Sequence, residues 1–313
     1  MRFAEIKDLH HAMTHIVPVV GEALLASTKE IFDTHDYKGH ESSSLDDVAR
    51  QLMQKTLDEF LPDFEGMVRL ELRPYSIVFL EKREHHPLTL IIDEIEGTTN
   101  TKRCMASAFE YRPASLISMG LSFSESLKDL AVGAVYTLDR SEVFSAFKTD
   151  GHFLAFHDNK LIYEDEIIKT KGDSKRRILV IGYSNSHRTK KGQLEQALFD
   201  SGLKVYDGCR SSGMDIINII RNNTDAYVDL RSFWSTKDAD GHENEAMLQT
   251  YDVAGVIPIA EGCGLKVSDA EGNSWHNYEL ETPIPLIVSR PDIYEQIMKV
   301  VKPFAEKWKS PSA

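Results

Sequence analysis

The sequence predicts an α+β first half followed by an α/β second half. Three observations point to it. Two segments with helical spacing of apolar residues open the chain, and a run of short apolar strands punctuated by turn residues follows. Beyond about residue 176, strands and helices alternate. The pattern changes near 150–175, and we divide the chain into an N-terminal α+β lobe (1–155) and a C-terminal α/β lobe (156–313).

Residues 3–34 carry apolar positions at helical spacing, with Pro18 expected to kink or break the helix. A second helix is expected from Leu45 to Phe60, where Val48, Leu52, Met53, Leu57 and Phe60 share a stripe and the preceding ESSS supplies capping hydroxyls. Leu61-Pro62-Asp63 ends it. Strands are expected at 67–72, 76–81, 88–93, 114–122, 132–138 and 142–147, with turns at 85–87, at Arg140-Ser141 and at Thr149-Asp150-Gly151. Residues 158–176 read as a polar connection. Then come a strand (177–183), a helix (191–202), a strand (203–208), a helix (212–222) and a strand (225–231). A helix over 252–261, strands at 265–269 and 285–289, and a C-terminal helix (291–308) complete the chain.

Composition narrows the function. The 313 residues carry a formal charge of −13, which argues against a nucleic-acid polymer as partner. Three cysteines, with no CxxC or His/Cys spacing, fit a reducing compartment and no thiolate metal site. The opening MRFAEIKDLHHAMTH does not read as a signal peptide, and no apolar run reaches membrane-spanning length. A cytoplasmic protein that neither spans nor binds a membrane is expected.

The chemistry concentrates in LIIDEIEGTTN (90–100). A strand here runs into Asp93, Glu94 and Glu96, then turns through Gly97, Thr98 and Thr99. Clustered carboxylates repel one another and are costly to bury unpaired, so a cation is expected. Carboxylates with a main-chain carbonyl suit Mg2+, and the N–H groups of a helix start suit a phosphate oxygen. The Thr98 hydroxyl can orient a water. Together these describe metal-assisted hydrolysis of a phosphate ester. Far downstream, TYDVAGVIPIAEGCG (250–264) places Asp252 at a helix start, followed by small residues and Glu-Gly-x-Gly.

These two segments resemble the inositol monophosphatase family of Mg2+-dependent, lithium-sensitive phosphatases, a superfamily that includes the fructose-1,6-bisphosphatases. The family motif Asp-Pro-(Ile/Leu)-Asp-Gly-Thr is matched by Asp93-Glu94-Ile95-Glu96-Gly97-Thr98. The motif Trp-Asp-x-Ala-(Ala/Gly)-Gly is matched by Tyr251-Asp252-Val253-Ala254-Gly255. Segments 42–62, 133–151, 210–219 and 225–231 extend the likeness in order, across about residues 42–272. The resemblance implies a layered α/β/α/β/α sandwich, a homodimer, and two or three Mg2+ ions, with Mn2+ as a possible substitute.

Carried over position by position, it implies metal ligands at Asp93, Ile95 (through its carbonyl), Glu96 and Asp252. Phosphate and substrate would meet Gly97, Thr98, Thr99, Asp229, Arg210, Arg231 and Ser186. Thr98, with Asp47 and an upstream glutamate, would serve the attacking water. The family's Gly-Glu-Glu segment is absent here. Glu71 fits its spacing best, and Glu81 is the alternative.

Other departures are Glu94 for proline, Glu96 for aspartate, Tyr251 for tryptophan, Pro258 inside the second motif and an insertion over 232–246. The longer Glu96 arm carries its oxygens roughly 1.5 Å further out, which bears on the strict geometry of Mg2+. The expected activity is hydrolysis of a small sugar or polyol phosphate, of the inositol monophosphate or fructose 1,6-bisphosphate type, by metal-activated water. Two alternatives stand beside it. One is a catalytically impaired relative that binds a phosphorylated ligand, and the other is a 3′-phosphoadenosine phosphate phosphatase.

Overall fold

The computed structural model describes residues 3–34, 42–60, 77–80, 88–105, 112–124, 126–168, 178–181, 188–234, 247–280 and 282–309. Its first sheet runs in chain order: β1 (Ile77–Leu80), β2 (Leu88–Glu96), β3 (Leu116–Ser122), β4 (Leu130–Thr137), β5 (Glu142–Thr149), β6 (His152–His157) and β7 (Lys160–Leu161). Every neighbouring pair is antiparallel. The second sheet has β8 (Ile178–Ile181), β9 (Lys204–Asp207), β10 (Ala226–Val228), β11 (Lys266–Asp269) and β12 (Leu286–Ser289), ordered β11-β12-β10-β8-β9. Here β8 pairs in parallel with β9 and β10, while β12 is antiparallel to β10 and β11.

The helices are α1 (Phe3–Thr34), α2 (Ser42–Phe60), α3 (Thr98–Met105), α4 (Glu164–Ile168), α5 (Arg188–Asp200), α6 (Ser212–Ile220), α7 (Thr250–Ala254), α8 (Ile257–Gly262) and α9 (Pro291–Lys309). Three buried clusters stack them into layers. In the first, Met13, Val17, Val20 and Leu24 of α1 and Met53 and Leu57 of α2 pack on Ile92, Met119, Val132 and Ala134 of the first sheet. In the second, α6, α7 and α8 fill the space between the two sheets, with Ile216, Ile217, Val253 and Ile259 against Leu116, Val135, Tyr227 and Val288. In the third, Leu194 and Leu198 of α5 and Ile293, Ile297 and Val301 of α9 cover Ile181, Val228 and Ile287. The order is α/β/α/β/α, as the family resemblance implies. Among the described residues, no helix is long and apolar enough to cross a membrane.

The central strands β3 and β4 are buried along their whole lengths, because helices cover both faces of the sheet there. A strand buried on both faces has no polar side to alternate with, which accounts for the near-continuous apolar reading of LISMGLS and LAVGAVYT. Glycine lets α7 lie directly on this sheet. A Cβ at Gly120 would sit 2.9 Å from Ala254 Cβ and 3.0 Å from the Ala254 backbone.

Several elements depart from the sequence reading. Helix α1 continues through Pro18 as one element. Helix α2 begins at Ser42, so the expected capping serines lie within it. Strand β2 runs on to Glu96, with a register shift between Asp93 and Glu96. Strand β6 occupies residues to which the sequence reading assigns no element, and strand β7 and helix α4 lie in the stretch read as a polar connection. Their turns are two-residue tips with positive φ at Asp150 and Gly151 and at Asp158 and Asn159, the signature of tight hairpins. The single helix expected over 252–261 is two, and Pro258 lies in the first turn of α8, where its missing N–H is not needed. The strand expected at 67–72 lies outside the described residues.

Gly120→Val tests the contact between α7 and the first sheet. Its side chain would enter space held by backbone, and overpacking of this kind costs about 1–3 kcal/mol. Urea unfolding should show a lower midpoint for this variant than for wild type.

Candidate active site

A cleft of about 340 Å³ opens where the end of β2, the starts of α6 and α7 and the residues after β10 meet. Asp93, Ile95, Glu96, Gly97 and Thr98 line one side, Arg210, Ser211, Ser212 and Asp215 a second, and Tyr227, Arg231, Met247 and Asp252 the rest. Residues some 150 positions apart in the chain thus share one cavity.

Local chemistry fixes each wall. The register shift in β2 aims Asp93 and Glu96 into the cleft, as bulges commonly re-aim side chains beside a site. Gly97 then turns the chain at φ 94°, a conformation that favours glycine. A Cβ there would also come within 2.9 Å of Ser211 Cβ and 3.0 Å of Ser115 Oγ. The turn is pinned from three directions. Ser115 Oγ donates to the Gly97 carbonyl at 2.8 Å, the Asn100 N–H donates to the same carbonyl at 2.8 Å, and Thr98 Oγ1 donates to the Ile95 carbonyl at 3.0 Å. Asn100 Nδ2 ties α3 to the Ala114 and Cys209 carbonyls at 2.8 and 2.6 Å. The segment 209–212, which starts α6, is thereby held against the β2 turn.

Five carboxylates gather around this point, and each has an identifiable holder. Asp93 Oδ1 accepts from the Ile95 N–H at 3.2 Å. Asp252 Oδ2 accepts from the Gln249 N–H at 2.9 Å, one arm of a capping box at the start of α7. Glu96 accepts from Ser211 Oγ and from the Ser212 N–H, the latter at 2.5 Å. Asp215 accepts the Cys209 N–H on both oxygens at 3.1 Å. Asp229 accepts from Tyr227 Oη at 2.7 Å, from the Arg231 N–H at 3.0 Å and from the Arg231 guanidinium at 2.6–3.0 Å.

The electrostatics reflect this crowding. Burial, followed by the charges of Asp252, Glu96 and Glu94, holds the Asp93 carboxyl well above the ordinary carboxylate range. Burial also raises Asp252, against the pull of the Gln249 N–H and of Arg231. Glu96 is pushed up to about 8, chiefly by burial, with the Ser211 hydroxyl opposing and Asp252 adding to the rise. Burial likewise pushes Asp215 up to about 7, with the Cys209 N–H opposing. Burial opposes the Arg231 charge, but the adjacent Asp229 carboxylate raises its pKa, so it stays cationic. Asp93 and Asp252 each keep a second oxygen with no hydrogen-bond partner among the described residues. Two half-buried carboxylates destabilised in this way are the electrostatic complement of a hard cation, and Mg2+ needs only one or two carboxylates beside its waters and a phosphate. These two residues therefore fit such an ion. Among the described residues, no three His, Cys, Asp or Glu side chains gather closely enough to hold a metal ion by themselves.

Of the residues expected at the site, Asp93, Ile95, Glu96, Gly97, Thr98, Arg210, Arg231 and Asp252 line the cleft. Asp229 does not. It is fully buried and pairs with Arg231, which does line the cleft. Glu71, Glu81 and Ser186 lie outside the described residues, as do the side chains of Asp47 and Thr99 and residues 235–246 of the insertion. Ser211, Ser212, Asp215, Tyr227 and Met247 were not anticipated. The Ser-Ser-Gly-Met-Asp run (211–215) carries a helix-start signal that could have marked the first three.

An acidic cleft at the junction of two sheets in an α/β/α/β/α sandwich, floored by a Gly-Thr turn at a helix start, has the make-up of a metal-assisted phosphatase site. The inositol monophosphatase family model matches residues 9–303, and the chain belongs to that family. Its members are phosphatases that generally use Mg2+ and bind small phosphorylated molecules. Solved structures share the fold. Mycobacterium tuberculosis SuhB matches with a TM-score of 0.62 at 16% identity, over 95% of this chain and 97% of that one. The inositol monophosphatase of Anabaena (Nostoc) sp. PCC 7120 matches with 0.61 at 13% identity, over 95% and 96%. Staphylococcal SaIMPase-II with inositol monophosphate bound matches with 0.65 at 15% identity, over 96% and 98%. No curated protein matches the chain in sequence.

The raised Asp215 pKa sets a direction for stability. Folded Asp215 keeps its proton until about pH 7, whereas the unfolded residue releases it near its ordinary 3.8. The folded state binds the extra proton between those values, so this contribution to stability is full below the lower one and is lost as pH rises through the upper one. The thermal midpoint of Asp215→Asn should therefore fall less than that of wild type between pH 4.5 and pH 7.5.

Proposed function

We propose that the chain is an Mg2+-dependent phosphomonoesterase acting on a small sugar or polyol phosphate, and that the cleft between β2, α6 and α7 is its active site. The observation that carries this reading is the convergence of Asp93 and Thr98 with Asp252 on one cavity, in a chain of this family. Asp93 and Asp252 would hold the ion, with the Ile95 carbonyl beside them. An ion held there would supply Lewis-acid activation of the phosphoryl group and of water.

The chain's own groups do the positioning. The first turn of α3 offers backbone N–H groups at a helix N-terminus, suited to phosphate oxygens. Thr98 Oγ1 donates its proton to the Ile95 carbonyl, so its lone pairs are what it presents to a water. It therefore accepts from the attacking water and fixes its direction. Arg231, locked in place by Asp229, provides a buried cation on the far wall for a phosphate or sugar oxygen. That a staphylococcal relative has been solved with inositol monophosphate bound favours a polyol phosphate as substrate.

A second reading, a phosphate-ligand binding protein without turnover, draws on Glu96, whose two oxygens are both held by the start of α6. Phosphate release from inositol monophosphates and fructose 1,6-bisphosphate, with and without Mg2+, separates the two. Asp93→Asn and Asp252→Asn should each lower the Mg2+-dependent rate by more than about 100-fold, beyond what loss of an outer-shell partner costs. Full activity in both variants would remove this mechanism, and Mg2+-independent binding of the esters without release would favour the second reading.

A further inference from the structure

Arg231 lines the cleft, and more than Asp229 fixes its orientation. Around it the hydrogen bonds close a ring. Arg231 Nε and Nη2 donate to the Asp229 carboxylate at 2.6–3.0 Å, and Nη2 also donates to Ser212 Oγ at 3.2 Å. Tyr227 Oη lies 2.7 Å from Asp229 Oδ2 and 2.9 Å from Ser212 Oγ. Tyr227 has one proton, and the charged acceptor Asp229 takes it. The Ser212 hydroxyl, which already accepts from Arg231, therefore turns its own proton to Tyr227 Oη. Asp229, Tyr227 and Ser212 are all buried, a setting in which polar groups need partners, and each finds them inside this ring. Burial and the Asp229 charge hold the Tyr227 pKa well above its ordinary value, so the phenol keeps the proton it donates.

We infer that Tyr227 and Ser212 are positioning residues, which together with Asp229 hold the Arg231 guanidinium in one orientation at the cleft, ready for an anionic oxygen of the substrate. Only the substrate in this statement rests on the proposed phosphatase reading; the ring stands without it. A guanidinium is planar and carries its donors in a rigid fork, so bonds along one edge fix the whole group. Asp229 alone would not fix it in space, because it lies two residues before Arg231 and the two could shift together. Ser212 supplies the outside anchor. It belongs to the start of α6, which is packed between the two sheets, and its hydroxyl meets both Arg231 and Tyr227. Its N–H meanwhile donates to Glu96 at 2.5 Å, so one residue joins the β2 side of the cleft to the Arg231 side. Tyr227, in β10, closes the circuit back to Asp229. Holding a long cationic side chain still before the ligand arrives removes an ordering cost from binding.

Two readouts on the full chain test this, with circular dichroism confirming that each variant is folded. The first is the Arg231 Nε–H resonance in 1H–15N spectra, identified by its absence in Arg231→Gln. It should exchange slowly with water in wild type and faster in both Tyr227→Phe and Ser212→Ala, the latter keeping the backbone N–H that serves Glu96. The second is the KM for phosphate release from inositol monophosphate and fructose 1,6-bisphosphate in Mg2+. Each variant should raise KM by about 2–10-fold, the worth of one hydrogen bond. Neither should raise it further in an Arg231→Gln background, since residues acting through one group are not additive. An unchanged Arg231 resonance in both variants would overturn the inference and leave the phosphatase reading standing. So would KM effects that persist in full without Arg231. Absence of phosphate release by wild type would sink the phosphatase reading, while faster Arg231 exchange in the two variants would still support the ring as the device that orients this side chain.

Discussion

The structure depends on burying several carboxylates at the junction of its two sheets. An ionised group taken out of water is strongly disfavoured unless it is paired or hydrogen-bonded. Here the same few ångströms hold Asp93, Glu96, Asp215, Asp229 and Asp252. Among the described residues, only Asp229 has an immediate countercharge, from Arg231. The others rest on single N–H groups or on the start of a helix, and their raised pKa values record how incomplete that compensation is. An acidic cavity of this kind destabilises the protein alone and favours any cation that enters it.

Much of the remaining architecture can be understood as holding those groups in place. The helix layer α6–α8 is pressed between two sheets, so the starts of α6 and α7 are fixed by apolar packing on both sides. Gly120 allows α7 to settle onto β3, and this close approach carries Asp252 to the cleft. The bulge at the end of β2 and the glycine after it bring Asp93 and the Thr98 turn to the same place from the first sheet. Asn100 then ties that turn to the segment before α6. Rigid elements supply the position, and short turns supply the donors and acceptors.

The relatives fit this division. At 13–16% identity the fold is retained across nearly the whole chain. What has to persist for that is the pattern of burial and a few close backbone approaches, and many side chains satisfy such a pattern. The acidic turn is less forgiving. At position 96 the glutamate that replaces aspartate both lines the cleft and is held by the Ser211 hydroxyl and the Ser212 N–H at the start of α6. A change that looks conservative by charge is not conservative by reach.

By itself the sequence determined the helices at both ends, most strands, the change from antiparallel to alternating order and the acidic Gly-Thr turn, because each is written in a local period or a short run of residues. It also marked Asp93, Thr98 and Asp252 through the resemblance of two segments to family motifs. Tertiary structure decided the rest. Strands β6 and β7 depend on two-residue turns with positive φ; Asp150-Gly151 is legible as a turn, but Asp158-Asn159 looks like ordinary polar loop in a linear reading. That Asp229 is fully buried against Arg231 while Asp215 and Ser211 line the cleft follows from how α6 packs against β10, and no local period encodes that. Which way the Glu96 carboxylate turns was settled by the nearest unsatisfied donors, and those belong to residues more than a hundred positions away.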